Sequence, residues 1–389
     1  EYLNELKDKM PEKYKKNIIF LHRKIYVDYF NKQKMSFLAE WLITLKCNYD
    51  CPYCPIGPGG HDNSTQHPSF EKSLVMLDQI YEYVDVVMSH KKTWFRDVVM
   101  HLLGGEVIYH PQIIELMRQS SERYQKYKDR WNLKRRLTTN GTATEKTWQA
   151  ICHHVEGITM SYHSTGPEKL RKCFKTNLLY LNEIKKEHDV IVLMYPDKDH
   201  WRDCVEFLQW AKQNKIIARP KILDGPLGVY NKQHLKDLSE FIHADELKDW
   251  DTEERADAQA RGCCGGRKMC FNRNLKKHSF LVPRKLGFKG WHCSANQFFL
   301  HGNNVTGQYF TNHDCSVKLG GTTGSLADIN TMFSYIENMK KQSVLPTLLC
   351  AQEKCFCGVC APKAMDHAQL MNIMKIYNKP TSVDSATVR

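Results

Sequence analysis

Between residues 38 and 223, short apolar runs alternate with longer segments in which apolar residues recur at helical spacing. The runs VVMHLL and DVIVLM, for example, precede the helical segments PQIIELMRQSSERYQKY and DHWRDCVEFLQWAKQNK. About six strand–helix units follow one another, and such an alternation predicts a parallel sheet covered by helices. Barrel enzymes of this type build their sites at the carboxyl ends of the strands, so polar residues at those ends are the first candidates.

Three cysteines follow the first predicted strand, in the segment EWLITLKCNYDCPYCPIGPGG, and the chain has 15 in all. A large chain without an export signal is expected to keep its thiols reduced, for metals or catalysis. Four close thiolates suit zinc or a fully protein-ligated iron–sulfur cluster. Three thiolates leave one coordination position of the metal site without a protein ligand. Cys47, Cys51 and Cys54 therefore indicate a metal site with an open coordination position, at which a reaction can take place. Zinc stays an alternative, with His61 or Asp62 as the fourth ligand.

The CxxxCxxC spacing of these cysteines resembles the motif of the radical S-adenosylmethionine (SAM) enzymes. In that family the three cysteines bind three irons of a 4Fe–4S cluster, and SAM chelates the fourth iron. The residue before the last cysteine is usually aromatic, as Tyr53 is here. The resemblance implies that Cys47, Cys51 and Cys54 are the catalytic cluster ligands and that Tyr53 belongs to the cofactor site.

About fifty residues later, the apolar run VVMHLL closes on Gly104, Gly105 and Glu106. This segment is similar to the GGE motif that follows the second strand in the same family and holds the amino group of SAM. Glycines permit close backbone approach, and a carboxylate pairs with an ammonium group. The resemblance implies that all three residues bind the cofactor.

Polar residues also end the third and fourth predicted strands. Asn140 follows the third strand, and Ser161 and His163 end the fourth, where the resembled family often contacts the SAM ribose. We predict Asn140 and Ser161 as cofactor contacts and His163 as a group on the substrate side. The alternative is that these side chains only satisfy the backbone of the turns.

From about residue 225 the alternation stops. The segment 231–258 is predicted to be a charged helical linker, and residues 261–290 contain nine Lys or Arg and neither Asp nor Glu. This run carries much of the formal net charge of +13. A run of residues with the same charge is usually a solvated surface. A basic run is also typical of surfaces that bind phosphate groups.

The last third of the chain holds a second group of cysteines. Cys293 and Cys315 flank an apparent hairpin with a turn at Gly302–Asn303, and the segment LCAQEKCFCGVC adds four more. Such crowding indicates a metal site. The region resembles the SPASM and twitch domains of radical SAM enzymes, which implies one auxiliary 4Fe–4S cluster. The ligands implied are Cys293 and Cys315 with two of Cys355, Cys357 and Cys360, and the reserves are Cys350 and Cys270. A structural zinc site with the same ligands is the alternative.

The fold predicted from these features is α/β, a partial (β/α)6 TIM-like barrel followed by a small α+β cysteine-rich auxiliary-cluster domain. The boundaries are an N-terminal extension over 1–37, the barrel over 38–224, a helical linker over 225–262 and the auxiliary domain over 263–389. No apolar run is long enough for a spanning helix, and the N-terminal segment lacks a signal core, so we expect a cytoplasmic protein without a membrane partner.

The resemblance implies an oxidoreductase or modifying enzyme. It would reductively cleave SAM to a 5′-deoxyadenosyl radical, which abstracts hydrogen from an unactivated C–H bond to oxidise, epimerise or cross-link a substrate. The expected partners are a flavodoxin- or ferredoxin-type reductant and an anionic small molecule or peptide substrate. In the GCCGG segment, either Cys263 or Cys264 is a candidate to quench a substrate radical by donating hydrogen.

Two alternatives remain for the function. The first is a radical SAM enzyme that modifies a nucleotide-linked sugar or RNA, for which the basic segment argues, although it offers few aromatic residues for stacking. The second is a non-enzymatic metal-binding module for nucleic acid. That alternative accounts for the charge and the cysteines but leaves the strand–helix alternation and the GGE segment unexplained.

Overall fold

A computed structural model describes residues 36–54, 67–90, 97–223, 227–242, 289–311, 325–350, 363–368 and 370–371. Several sequence predictions lie outside these ranges. They concern the zinc alternatives His61 and Asp62, the cysteines Cys263, Cys264, Cys270, Cys315, Cys355, Cys357 and Cys360, and most of the basic segment 261–290.

The first half of the chain alternates strands and helices as the sequence predicts. The strands are β1 (Ser36–Thr44), β2 (Asp97–Gly104), β3 (Asn132–Thr139), β4 (Gly157–His163), β5 (His188–Met194) and β6 (Ala218–Ile222). The helices are α1 (Phe70–His90), α2 (Ile113–Tyr124), α3 (Glu145–Cys152), α4 (Glu168–Glu183), α5 (Lys198–Gln213) and α6 (Lys232–Asp237).

Shorter elements follow in the last third. They are β7 (His292–Cys293), β8 (Phe299–Asn303), β9 (Gln308–Phe310), β10 (Ser325–Asp328), α7 (Met332–Lys341), β11 (Leu348–Leu349) and β12 (Lys363–Ala364).

Within the described residues, the strands form a nine-stranded sheet in the order β10-β9-β8-β1-β2-β3-β4-β5-β6 and a three-stranded sheet in the order β11-β7-β12. Strands β1 to β6 are all parallel and adjacent in chain order. The prediction of an α/β fold with a six-stranded partial barrel is therefore confirmed. Because the strands are parallel, their carboxyl ends meet at one edge of the sheet.

The core lies between the sheet and the helices. Along β1, Phe37, Ala39, Trp41 and Ile43 are completely buried, and they alternate with residues that point to the other face. This period of two is what a strand requires. Polar side chains begin several helices: the Thr144 hydroxyl, for example, accepts a hydrogen bond from the Thr147 N–H at the start of α3.

The hairpin in the last third differs from its prediction. Strands β8 and β9 pair antiparallel, but the turn between them covers residues 304–307, so the expected turn at Gly302–Asn303 is wrong. The side chain of Asn303 accepts hydrogen bonds from the N–H groups of Val305 and Thr306, and Gly307 takes a φ of 76° that suits glycine. An Asn side chain that folds back on the following backbone, rather than a two-residue turn, thus closes the hairpin.

The hairpin also extends the barrel sheet, because β8 pairs with β1 in parallel. Asn304 fastens its tip to the end of β1: its backbone N–H donates to the Leu42 carbonyl at 2.9 Å, and its amide donates to the Ile43 carbonyl and the Ser73 hydroxyl. The sequence placed this hairpin in a separate auxiliary domain. The structure shows that it is also the neighbour of the first barrel strand.

Among the helices of the described segments, none combines the length and the apolar character that a membrane crossing requires.

Candidate active site

The three cysteines of the CxxxCxxC segment lie on the loop that leaves β1. Cys51 is buried, Cys47 and Cys54 are half-buried, and a turn joins the Cys54 N–H to the Cys51 carbonyl at 3.0 Å. Burial raises the pKa of the Cys47 thiol to about 12, and it also raises the pKa of Cys51. Repulsion from Glu106 and from the other two thiols also raises the pKa of Cys47, so the three thiols lie close enough to interact.

The GGE segment packs against the backbone of this loop. The Gly105 N–H donates to the Thr44 carbonyl at 2.8 Å, and the Glu106 N–H donates to the Lys46 carbonyl at 2.7 Å. A Cβ atom on Gly105 would stand 2.4 Å from the carbonyl oxygens of Leu45 and Lys46. Glycine is therefore required at position 105 because the backbone of the cysteine loop approaches so closely. This close contact is made by the chain itself.

The carboxylate of Glu106 joins the ends of the second and third strands. It is 3% exposed and accepts hydrogen bonds from the Thr139 hydroxyl, the Asn140 N–H and the Ile108 N–H, at 2.7, 2.6 and 3.1 Å. Burial raises the pKa of Glu106, while these three hydrogen bonds lower it. Both carboxylate oxygens thus have partners within the chain, whereas the predicted role of Glu106 was to hold an ammonium group. That role stays a prediction.

Asn140 continues this connection to the cysteine loop. Its amide donates to the Asn48 side chain at 2.6 Å and lies 3.9 Å from the Cys47 sulfur. Thr142 closes the network, because its hydroxyl donates to Asn140 and accepts from Asn48. The sequence predicted Asn140 as a cofactor contact but did not single out Asn48 or Thr142. The available signals were their positions: Asn48 directly follows a cysteine, and Thr142 comes three residues after the end of β3.

At the end of β4 the side chains turn toward Cys51. The Nδ1 atom of His163 lies 3.5 Å from the Cys51 sulfur and 3.2 Å from the Tyr53 hydroxyl. The His163 ring stacks against Tyr53 with the centroids 5.9 Å apart and meets the edge of Tyr49. His163 was predicted on the substrate side, and the structure places it against the cysteine loop. Ser161, two residues earlier on the same face of β4, is half-buried.

The turn after β4 adds a residue that the sequence reading missed. The hydroxyl of Thr165 donates to the Cys51 sulfur at 3.4 Å and lies 3.4 Å from the Tyr53 hydroxyl. Threonine in a turn carries no distinctive sequence signal. Only the packing of the β4 turn against the loop after β1 shows this contact.

The donor set of the loop fits an iron–sulfur cluster, whose usual ligands are cysteine thiolates. Three cysteine sulfurs come from one short loop, and hydrogen-bond donors surround two of them. Within the part of the chain that the structure describes, no three His, Cys, Asp or Glu side chains converge as one ion would need. Each cysteine of a cluster binds a different iron, so its sulfurs stand further apart than the ligands of one zinc ion.

The small sheet brings two of the later cysteines together. Cys293 is buried on β7 opposite Leu348 of β11. Cys350 follows β11, and its backbone exchanges hydrogen bonds with Gly290 and Trp291 at 2.7 and 2.8 Å. Because Cys350 is two residues beyond Leu348, both thiols belong to the same face of this strand pair, at a diagonal separation of roughly 7 Å.

Comparison with known proteins gives one family match. A family model described as the Radical SAM superfamily matches residues 41–242, which include the cysteine loop, the GGE segment and strands β2 to β6. No protein with a curated description matches the chain.

Several solved structures resemble the chain. "Native anSMEcpe with bound AdoMet" has 15% sequence identity, covers 78% of this chain and 81% of its own, and gives a TM-score of 0.45. "Native anSMEcpe with bound AdoMet and Cp18Cys peptide" has 14% identity, with 88% and 99% coverage and a TM-score of 0.44. SuiB of Streptococcus suis, bound to the precursor peptide SuiA, has 14% identity, with 82% and 70% coverage and a TM-score of 0.43.

Proposed function

The chain belongs to the radical SAM superfamily, and from this premise we propose that it is an enzyme that reductively cleaves SAM. The 5′-deoxyadenosyl radical so formed would abstract hydrogen from an unactivated C–H bond of the substrate. Membership of the superfamily implies a 4Fe–4S cluster and SAM, and the cluster supplies the electron for the cleavage. Cys47, Cys51 and Cys54 would hold the cluster.

The observation that carries this proposal is the way the chain braces the cysteine loop. The backbone of Gly105 and Glu106 binds the start of the loop, Asn140 binds Asn48 beside the first cysteine, and the end of β4 contacts Cys51. The carboxyl ends of β1 to β4 thus converge on three thiols. Contacts from the ends of β2, β3 and β4 hold the sulfurs of the loop in place before the cofactor binds. Such a site needs this preorganisation.

We also propose Tyr53, Gly104, Gly105, Glu106, Asn140 and Ser161 as the SAM-binding residues. The contacts within the chain indicate that these residues would contribute to the site in different ways. Glu106 and the Asn140 side chain are already bonded within the chain, so they would act by shaping the site. Ser161 is half-buried on the same face of β4 as His163, which contacts the loop, and it would face the nucleoside.

An auxiliary 4Fe–4S cluster in a SPASM- or twitch-like domain is the second part of the proposal. Cys293 and Cys350 share a face of the small sheet, so we add Cys350 to the ligand candidates Cys293, Cys315, Cys355, Cys357 and Cys360. An auxiliary cluster would accept an electron from a substrate radical or brace the domain. A structural zinc site is the competing assignment for the same thiols.

For the substrate we propose an anionic small molecule or a peptide, and for the electron donor a flavodoxin- or ferredoxin-type protein. The nine basic residues of the segment 261–290 favour negative charge on the substrate. The same charge supports the second candidate, a nucleotide-linked sugar or RNA. The net reaction, whether oxidation, epimerisation or cross-linking, follows from the substrate.

The test is anaerobic reconstitution with iron and sulfide, followed by an iron count and an assay of SAM cleavage with dithionite. Wild type is expected to hold about eight irons, and a Cys47/Cys51/Cys54 triple alanine variant about four. Only wild type should form 5′-deoxyadenosine. A Cys152→Ala variant is the matched control, because this half-buried thiol is the last residue of α3 and lies outside the loop. Zinc without SAM cleavage would contradict the proposal.

A further inference from the structure

The three cysteines of the loop do not have equivalent surroundings. Cys47 accepts a hydrogen bond from the Tyr49 N–H at 3.4 Å, within its own loop. The Cys51 sulfur instead accepts a hydrogen bond from the hydroxyl of Thr165, a residue 114 positions later in the chain. This donor comes from a different strand end and serves one sulfur of the three.

The turn that carries Thr165 is locked in place. The Gly166 N–H donates to the His163 carbonyl at 3.1 Å and closes a turn with Thr165 inside it. A Cβ atom on Gly166 would stand 2.5 Å from the ring of Tyr49, so the glycine allows the aromatic ring to lie against the turn. Tyr49 is 6% exposed and belongs to the cysteine loop itself. The turn and the loop are therefore packed as one unit, and the hydroxyl is held near the sulfur.

A second hydroxyl, that of Tyr53, lies beside the hydrogen bond from Thr165 to Cys51. The Tyr53 hydroxyl lies 3.4 Å from the Thr165 oxygen and 3.2 Å from the His163 Nδ1 atom, so it can donate to Thr165 when Thr165 donates to Cys51. A sulfur bound to iron carries no proton and can only accept, so it accepts the hydrogen bond that the Thr165 hydroxyl donates. A hydroxyl that accepts from one group becomes a better donor to the next.

We propose that Thr165 is a positioning residue that donates a hydrogen bond to the Cys51 sulfur and thereby raises the reduction potential of the cluster at this site. The inference rests on the proposed function. The redox couple is the oxidised cluster and its one-electron-reduced form. The electron comes from an external reductant such as dithionite, and no bond is made or broken. Reduction adds a negative charge, so a donor at the sulfur stabilises the reduced form more than the oxidised form.

The test is a redox titration of the reconstituted protein, followed by electron paramagnetic resonance. Thr165→Val keeps the branched shape and removes the hydroxyl, and Thr165→Ser restores the hydroxyl. Thr176→Val is the matched control, because Thr176 is exposed on α4 and its hydroxyl donates to the Lys172 carbonyl of the same helix. The signal of the Cys47/Cys51/Cys54 triple alanine variant is subtracted to remove any auxiliary cluster.

The midpoint potential of Thr165→Val is expected to be more negative than that of wild type. At a fixed ambient potential, its ratio of reduced to oxidised cluster should fall roughly tenfold, the order of one hydrogen bond. Thr165→Ser should recover most of the difference, and Thr176→Val should match wild type. Should the valine variant fail to assemble, Thr165→Ala is compared with Thr165→Ser instead.

An unchanged potential in a fully loaded Thr165→Val protein would overturn the inference. Loss of iron from both the valine and alanine variants of a folded protein would also overturn it, since Thr165 would then be needed only for assembly. Failure of wild type to bind a cluster at all is a different result, which contradicts the proposed function.

Discussion

The backbone N–H of Asn140 donates a 2.6 Å hydrogen bond to the buried carboxylate of Glu106, which fastens the end of β3 to the residue pair that follows β2. Through the Asn140 side chain the same connection reaches Asn48, the neighbour of Cys47. A carboxylate that accepts several hydrogen bonds in a buried position is costly to disturb. The GGE segment therefore supports the cysteine loop in addition to any contact with a cofactor.

Gly105→Ala is expected to destabilise the protein and to reduce iron loading. The new methyl group would stand 2.4 Å from two carbonyl oxygens of the cysteine loop, and overpacking of this kind costs about 1–3 kcal/mol. Thermal unfolding and iron content measure the two effects. Gly302→Ala is the control, because its methyl would meet neighbours only at 3.4 Å. Equal behaviour of the two variants would show that the loop can move away from β2.

Asn140→Ala is expected to weaken cluster binding while the barrel stays folded. The substitution removes the hydrogen bonds to Asn48 and Thr142, and residues that orient metal ligands typically contribute about 10- to 100-fold in affinity. Retention of iron against a chelator measures the loss. Asn132→Ala, at the exposed start of the same strand, is the control. The prediction would fail if both variants retained iron as wild type does.

The free energy of unfolding is expected to fall between pH 7 and pH 5, in part because of His110. Burial, followed by repulsion from His67, lowers the pKa of His110 to about 4, from an ordinary value of 6.5. The unfolded chain therefore takes up the proton first as the pH falls. This contribution is fully present above pH 6.5 and is lost as the pH drops toward 4, with about 2 kcal/mol lost by pH 5.

Urea unfolding at several pH values tests the His110 prediction. His110→Gln should show a flatter dependence of stability on pH than wild type, whatever its stability at pH 7. His153→Gln, which changes an exposed side chain, should keep the dependence of wild type. A parallel dependence in wild type and His110→Gln would assign the acid sensitivity to other groups.

Glu40 and His301 are expected to be energetically coupled across β1 and β8. Their Oε2 and Nδ1 atoms are 3.4 Å apart, and the His301 side chain is completely buried. A double-mutant cycle with Glu40→Gln and His301→Gln should give a coupling of about 1 kcal/mol. The exposed pair Asp199 and Arg202 should give much less. Additive effects at Glu40 and His301 would mean that the hairpin docks on the barrel through its other contacts alone.

Cys350→Ser is expected to remove auxiliary iron and to leave SAM cleavage by the first cluster intact. The prediction follows from the shared face of Cys293 and Cys350 on the small sheet. Iron counted in the background of the Cys47/Cys51/Cys54 triple alanine variant isolates the auxiliary site. Cys173→Ser, which changes a thiol between α4 and the turn after β3, should leave the count unchanged. An equal count in both serine variants would exclude Cys350 as a ligand.

Local patterns in the sequence predicted the parts of the fold that depend on neighbouring residues. The strand–helix alternation, and with it the parallel sheet, follows from the spacing of apolar residues, which acts over a few residues. The hairpin turn was misplaced because Gly302–Asn303 looks like a two-residue turn. Asn304 decides the real position by binding the end of β1, more than 250 residues earlier in the chain.

The sequence by itself determined the class of fold and the three thiols of the loop, because spacing between covalent neighbours survives folding unchanged. Only the tertiary structure decided what surrounds those thiols. The contacts of Glu106 with Asn140 and of Thr165 with Cys51 join residues from different strand ends. They form because parallel strands bring their carboxyl ends to one edge, and no local pattern records which side chains meet there.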